Sequence, residues 1–196
     1  MSKSNYFIRQ FGNPTGNFGK YLSKIMNVSN KRMYRANAGK VTNAKKLLEI
    51  GFGNGKQLQL LRELYPEMEL YGIDISDDML DSARKRLGNT ANLSIADAED
   101  MPFESGFFDA VITTDTCYFW NDPRKVLSEI DRVLKSGAVF VNSLNTMYAQ
   151  SVGKTSEGEC ASDSDKLIRL ANDTSLVVIS NEKLSSTEDQ LVFIKN

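Results

Sequence analysis

The chain has 196 residues and not one histidine. Imidazole is therefore excluded as general base, proton shuttle or zinc ligand. There are two cysteines, Cys117 and Cys160. They make neither a disulfide framework nor a metal-ligand spacing, so no metal is expected. So few thiols point to a reducing, cytoplasmic compartment. No apolar run approaches the roughly 20 residues that a membrane span needs. The opening "MSKSNYFIRQFGNP" lacks the apolar core of a signal peptide. Internal repeats and low-complexity tracts are absent too. What is present is 41% hydrophobic and 25% charged residues, ordinary for a soluble domain long enough to build one core.

The net charge of −1 conceals an asymmetry. Residues 1–46 hold ten Lys/Arg and no Asp/Glu, whereas the rest hold fourteen Lys/Arg and all twenty-five acids. Two readings follow. The first is a solvated basic cap attracted to an acidic body. The second is a basic lid that draws in an anionic substrate or touches an anionic surface.

Residues 1–17 read as irregular. Phe18, Tyr21, Leu22, Ile25 and Met26 fall at helical spacing, and a short second helix is expected over 30–37. From Lys45 the pattern becomes strands alternating with helices. Strands are expected at "KKLLEI", "MELYGID", "NLSIAD", "FFDAVITTD" and "AVFVNSLN", with helices at "GKQLQLLREL", "DDMLDSARKRL" and "DPRKVLSEIDRVL" between them. Next come a polar loop at 146–162, a helix at "SDKLIRLAND" and two strands, "SLVVIS" and "QLVFIKN". Such alternation predicts a parallel α/β sheet covered on both faces. The last two strands are joined by about ten residues, too few for a parallel crossover, so they should be antiparallel neighbours.

The densest signal is "LLEIGFGNGKQ". Gly51, Gly53 and Gly55 sit where the first strand turns into a helix. In an open α/β sheet, ligands bind outside the carboxyl ends of the strands, and glycine there lets a ligand reach the backbone. A dinucleotide fingerprint, G-x-G-x-x-G, would need its third glycine at position 56, which is Lys56. A nicotinamide oxidoreductase is thereby disfavoured.

The run Glu49 to Gly55, E-x-G-x-G-x-G, resembles the first motif of the class I S-adenosylmethionine (SAM) dependent methyltransferases. "YGIDISDDML" resembles their second-strand motif, "IADAEDMPFESGFFDAVITTD" their third-to-fourth-strand segment, and "LSEIDRVLKSGAVFV" the helix before strand five. In the last, "KSGA" replaces K-P-G-G. The resemblance covers Lys45 to Val141 in order and spacing, and extends to the broad group that includes ubiquinone- and menaquinone-biosynthesis methyltransferases. It implies a Rossmann-like doubly wound seven-stranded sheet, mostly parallel with an antiparallel C-terminal strand, in residues 45–196. Residues 1–44 would form a basic helical cap or lid. It also implies SAM as cofactor, S-adenosylhomocysteine as product, and a small-molecule acceptor rather than a nucleic acid; the basic N-terminal segment and the aromatics of "CYFWNDP" would suit an anionic or aromatic one.

Residue by residue, the resemblance places Asp74 on the ribose hydroxyls, and a carboxylate at that strand end can accept from both. Asp97 would meet the adenine amino group and the Ala98 amide a ring nitrogen. The backbone at Gly51 and near Thr114 would face the methionine moiety. Phe52, Gly53 and Gly55 complete the glycine turn. Ile75 and Met79 either pack on adenine or serve the core. Glu49 reads as an acceptor for the cofactor's ammonium rather than a catalyst. Methyl transfer needs mostly positioning and water exclusion. Where a base is required, the candidates are Asp115, Tyr118 and, further on, Asp122. "CYFWNDP" offers three aromatics to a flat or cationic group. "GNPTGNFG", followed by Met26-Asn27-Val28-Ser29-Asn30, resembles the cap of one bacterial-type subgroup, with Tyr6, Arg9, Phe11 and Tyr21 as side chains to watch. A non-catalytic SAM-binding module and a nucleic-acid or protein methyltransferase are the rival readings. The pI of about 5.6 and the absence of an N-P-P-Y-type motif count against nucleic acid.

Overall fold

The computed structural model describes residues 28–153 and 161–196. The expected helix over 18–26, the side chains Tyr6, Arg9, Phe11 and Tyr21, and Cys160 lie outside them. In chain order the elements are α1 (Lys31–Lys40), β1 (Lys46–Ile50), α2 (Lys56–Leu64), β2 (Glu69–Asp74), α3 (Asp77–Leu87), β3 (Asn92–Ile95) and β4 (Phe108–Thr114). After a 3-10 turn at Cys117–Phe119 come α4 (Pro123–Val133), β5 (Leu134–Asn145), α5 (Thr146–Gly153), α6 (Ser164–Ala171), β6 (Leu176–Lys183) and β7 (Glu188–Lys195).

The seven strands form one sheet in the order β3-β2-β1-β4-β5-β7-β6. β1 pairs in parallel with both β2 and β4, and β4 with β5. β7 runs antiparallel between β5 and β6. Strand order therefore reverses between β1 and β4, the position at which an open α/β sheet leaves a crevice at its carboxyl edge. This is the expected Rossmann-like arrangement, C-terminal antiparallel strand included.

The sheet separates two apolar clusters. One gathers α4, α6 and the 3-10 turn against one face, with Phe108, Phe140 and Phe193 fully buried. The other gathers α2 and α3, with Leu47, Leu58, Leu61 and Leu70. α4 shows why the sequence folds this way. Pro123 sits in its first turn, Asp122 caps it by accepting from Lys125 N, and Val126, Leu127, Ile130 and Val133 form its buried stripe. Each such side chain contributes about 1.5–3 kcal/mol on burial.

α1 runs three residues beyond its expected end and lies on the sheet. Its Asn37, fully buried, donates from Nδ2 to Thr114 Oγ1 at 2.9 Å and accepts at Oδ1 from Ser143 Oγ (2.6 Å) and Gln190 Nε2 (2.8 Å). Thr114 Oγ1 in turn donates to Gln57 Oε1 at 2.8 Å. One asparagine thus ties α1 to β4, β5 and β7, and through Thr114 to α2.

Three boundaries depart from the sequence reading. The segment expected as a loop over 146–162 begins with the helix α5. Asn145 Oδ1 accepts from Met147 N and Tyr148 N, which starts that helix without a strong apolar pattern. β5 starts at Leu134, which already pairs with Phe108; the irregular "KSGA" segment, with Gly137 at φ 76°, lies inside the strand. β6 and β7 are longer than expected and leave a four-residue connection. Their added residues are polar and β6 is an edge strand, so no apolar alternation marked them.

Candidate active site

A cavity opens at the carboxyl ends of β1, β2, β3 and β4, where strand order reverses. Its walls include Glu49, Gly51, Phe52, Gly53, Asp74, Ile75, Met79, Asp97, Ala98, Thr114 and Asp115. Of the residues that the sequence singled out for cofactor or catalysis, Gly55, Tyr118 and Asp122 are missing from these walls.

The three glycines turn out to have different tasks. Gly51 has φ +71°, and a Cβ there would lie 2.4 Å from Thr116 Cγ2, so the loop after β4 can close on this turn only over a bare backbone. Gly53 has φ +53° and open space where a side chain would be. Its N–H donates to Asp74 Oδ2 at 2.8 Å, which docks the turn onto the end of β2. Gly55, expected at the cofactor, instead permits helix packing. A Cβ on it would lie 2.9 Å from Leu87 Cδ1 and 3.1 Å from Ala83 Cβ, both on α3. Phe52 lines the turn but also belongs to the core beneath, beside Leu58.

Glu49 is 3% exposed, and its Oε2 has no hydrogen-bond partner among the described residues. Burial raises its pKa well above the ordinary 4.5, and the Asp74 charge adds to the rise. The Leu58 N–H at the start of α2 partly offsets both. Asp74 accepts also from Ser76 N at 2.9 Å, so its carboxylate organises both the glycine turn and the start of α3. Burial raises its pKa against these backbone donors. Ile75 is half exposed at the rim while Met79 is fully buried. Asp97 turns back on the chain, accepting from Glu99 N at 2.9 Å.

Asp115 follows β4 with φ +57°, the left-handed region that a non-glycine residue rarely enters. Its N–H donates to Ser143 O at 2.9 Å, and its Oδ1 accepts from Asn145 N at 2.6 Å. Burial pushes its pKa up to about 6, against the Asn145 N–H and the nearby Tyr118 and Asn30 side chains, which favour the charged form. Tyr118 stands behind the wall. It is 3% exposed, and burial together with the Asp115 charge pushes its phenol well above 10, so it is no base for a group in the cavity. Asp122 is the cap of α4. From "CYFWNDP" the cavity takes Phe119, Trp120 and Asn121.

Two wall residues, Asn30 and Tyr34, were not proposed as ligand contacts. They belong to α1 and its cap. Positions 30, 34 and 37 share one helical face, a spacing that could have linked them to the buried Asn37. Burial, then the charges of Glu49 and Asp115, keep the Tyr34 phenol protonated well above its ordinary range.

Residues 48–142 match the family model for a methyltransferase domain. An uncharacterized methyltransferase of Bacillus subtilis is 34% identical over 98 residues, half of this chain and 54% of that protein. A demethylmenaquinone methyltransferase of Thermotoga maritima is 37% identical over 93 residues, 47% of this chain and 40% of that protein. The chain therefore spans about half the length of these curated relatives. A crystal structure of a Pyrococcus horikoshii protein superposes with a TM-score of 0.72 over 87% of this chain and 91% of that one, at 19% identity, a likeness of fold. This stretch of the chain is thus similar to the methyltransferase domains of the class I, SAM-dependent family. The cofactor of that class is SAM, and the site fits it. An unpaired, buried carboxylate oxygen suits an ammonium, and the open face of Gly53 suits close approach of a ligand.

Proposed function

We propose that the chain transfers a methyl group from SAM to a small-molecule acceptor by in-line displacement, with S-adenosylhomocysteine as the second product. The observation that carries this reading is the Glu49 carboxylate, buried with Oε2 unpaired among the described residues at a cavity wall and within the influence of the Asp74 charge on the next strand. In this assignment Glu49 holds the cofactor's ammonium, Asp74 its ribose hydroxyls, and Asp97 with the Ala98 amide its adenine. The turn at Gly51 and Gly53 lies along the methionine part, with Thr114 opposite. Ile75 and Met79 flank the adenine. The cofactor supplies an electrophilic methyl group on a sulfonium. The chain's contribution is to orient the acceptor and exclude water, with Phe119, Trp120 and Tyr34 as the apolar walls.

Residues 1–44 are proposed as a cap over this site and residues 45–196 as the catalytic unit. The contribution of Asn30 and Tyr34 to the cavity supports the first half of that division. Relatives named for demethylmenaquinone and for malonyl-acyl carrier protein differ widely in acceptor, so the shared domain accounts for the donor, not the acceptor.

The test is calorimetric titration with SAM and S-adenosylhomocysteine, with NAD as control, on wild type and Asp74→Ala. Micromolar binding of both adenosyl ligands, lost in Asp74→Ala, and silence with NAD are expected. Binding of NAD alone, or of nothing, overturns the assignment.

A further inference from the structure

Five carboxylates line the cavity, those of Glu49, Asp74, Asp97, Glu99 and Asp115. No Lys or Arg stands among its described walls. Under the SAM reading, on which this inference rests, three of the five hold the ammonium, the ribose and the adenine. Glu99 has a structural task, since its Oε1 accepts from Asp122 N at 2.9 Å. Asp115 uses one oxygen to accept from Asn145 N, and its other oxygen is left over.

Its geometry does more than order a loop. A turn at φ +57° is made more cheaply by glycine or asparagine than by aspartate. The Asn145 N–H fixes Oδ1, while Oδ2 is buried and has no donor at hydrogen-bonding geometry among the described residues. The same cavity is lined by the rings of Tyr34, Phe119 and Trp120, and aromatic faces attract cations. An anionic acceptor, expected from the charge of residues 1–46, would meet only like charge on these walls.

We propose that the acceptor is a small cationic amine, bound between Asp115 and the aromatic walls and methylated on nitrogen, with Asp115 as the general base. The ammonium gives one proton to the Asp115 carboxylate. The freed lone pair forms the new nitrogen–carbon bond as the carbon–sulfur bond breaks, and that bonding pair stays on sulfur. The products are a methylated ammonium and the neutral thioether, and the Asp115 carboxyl then releases its proton to solvent. A carboxyl whose pKa is about 6 is mostly ionised at pH 7 and still basic enough for this exchange. The titratable groups facing it are Tyr34 from α1, Tyr118 from the 3-10 turn and Glu188 from β7, whose Oε2 lies 3.4 Å from Arg32 Nε.

The experiment uses the full chain saturated with S-adenosylhomocysteine, titrated calorimetrically with matched sets of small aryl- and alkylamines, their alcohol isosteres and their carboxylate isosteres. Wild type should bind amines at least tenfold more tightly than either isostere, and more tightly as pH rises through about 6. Asp115→Asn should lose that preference tenfold or more while keeping its affinity for S-adenosylhomocysteine, which also reports that it has folded. With SAM carrying a labelled methyl group, the label should appear on nitrogen. Carboxylates or alcohols binding as well as amines, or no amine binding at all, overturns the proposal. So does an Asp115→Asn variant that binds amines unchanged, or one that loses S-adenosylhomocysteine, since Asp115 would then be a cofactor contact. Failure of wild type to bind S-adenosylhomocysteine removes the cofactor reading, and this one with it.

Discussion

Replacing Glu49 by glutamine should stabilise the ligand-free protein and weaken its grip on the cofactor. Glu49 is buried in β1, with one carboxylate oxygen unpaired and the Asp74 charge nearby. The unfolded chain releases this proton near the ordinary glutamate value of 4.5, whereas the folded chain keeps it to higher pH. Between those values the folded state binds more protons, so stability falls as pH rises through the window. The cost grows as pH rises above the ordinary glutamate value and the buried carboxyl is forced to ionise. The amide keeps the acceptor for the Leu58 N–H but removes the charge. It should recover about 1 kcal/mol, or about 2–4 °C in Tm for a chain of this size. The gain should shrink as pH is lowered towards 4.5, where wild type is itself protonated. Binding should move the other way. Loss of a hydrogen bond between charged groups, about 1.5–3 kcal/mol, predicts roughly 10- to 150-fold weaker S-adenosylhomocysteine binding. Thermal melts at pH 7.5 and pH 4.5, with calorimetry at pH 7.5, measure both arms. A variant that melts lower than wild type at pH 7.5 and binds S-adenosylhomocysteine unchanged would refute the reasoning.

The glycine turn makes a paired prediction. Gly51→Ala meets both a positive φ and Thr116, and should lose about 2 kcal/mol or more in urea unfolding. Gly53→Ala meets only the positive φ, costing about 1–2 kcal/mol; it should stay folded and lose most SAM binding in calorimetry. Asn37→Ala leaves Thr114, Ser143 and Gln190 short of a partner in a dry interior, and should cost about 2–4 kcal/mol by denaturant unfolding. Leu48→Ala, fully buried in β1, should cost about 2–5 kcal/mol in the same assay, without changing the pH dependence of any ligand that still binds.

Much of this protein was legible in its chain. Local apolar periodicity marked the strands β1 to β5 and the helices α2, α3 and α4 between them, because such patterns follow from which faces are buried. The placement of Glu49, Gly51, Gly53, Asp74 and Asp97 at strand ends was legible too, since motif spacing alone brings a turn and two successive strand ends to one edge of a parallel sheet. Histidine-free composition had already excluded imidazole chemistry. What the chain did not disclose depends on contacts between distant residues. Only the packing of α2 on α3 separates Gly55 from its neighbours and gives it to the core. Only the docking of α1 brings Asn30 and Tyr34 to the cavity and buries Asn37 among three strands. Asp115 and Tyr118 are three residues apart and read alike in sequence. Both are buried, but the left-handed turn at Asp115 leaves its carboxyl at the cavity wall and the Tyr118 phenol behind it, a difference that only the fold decides.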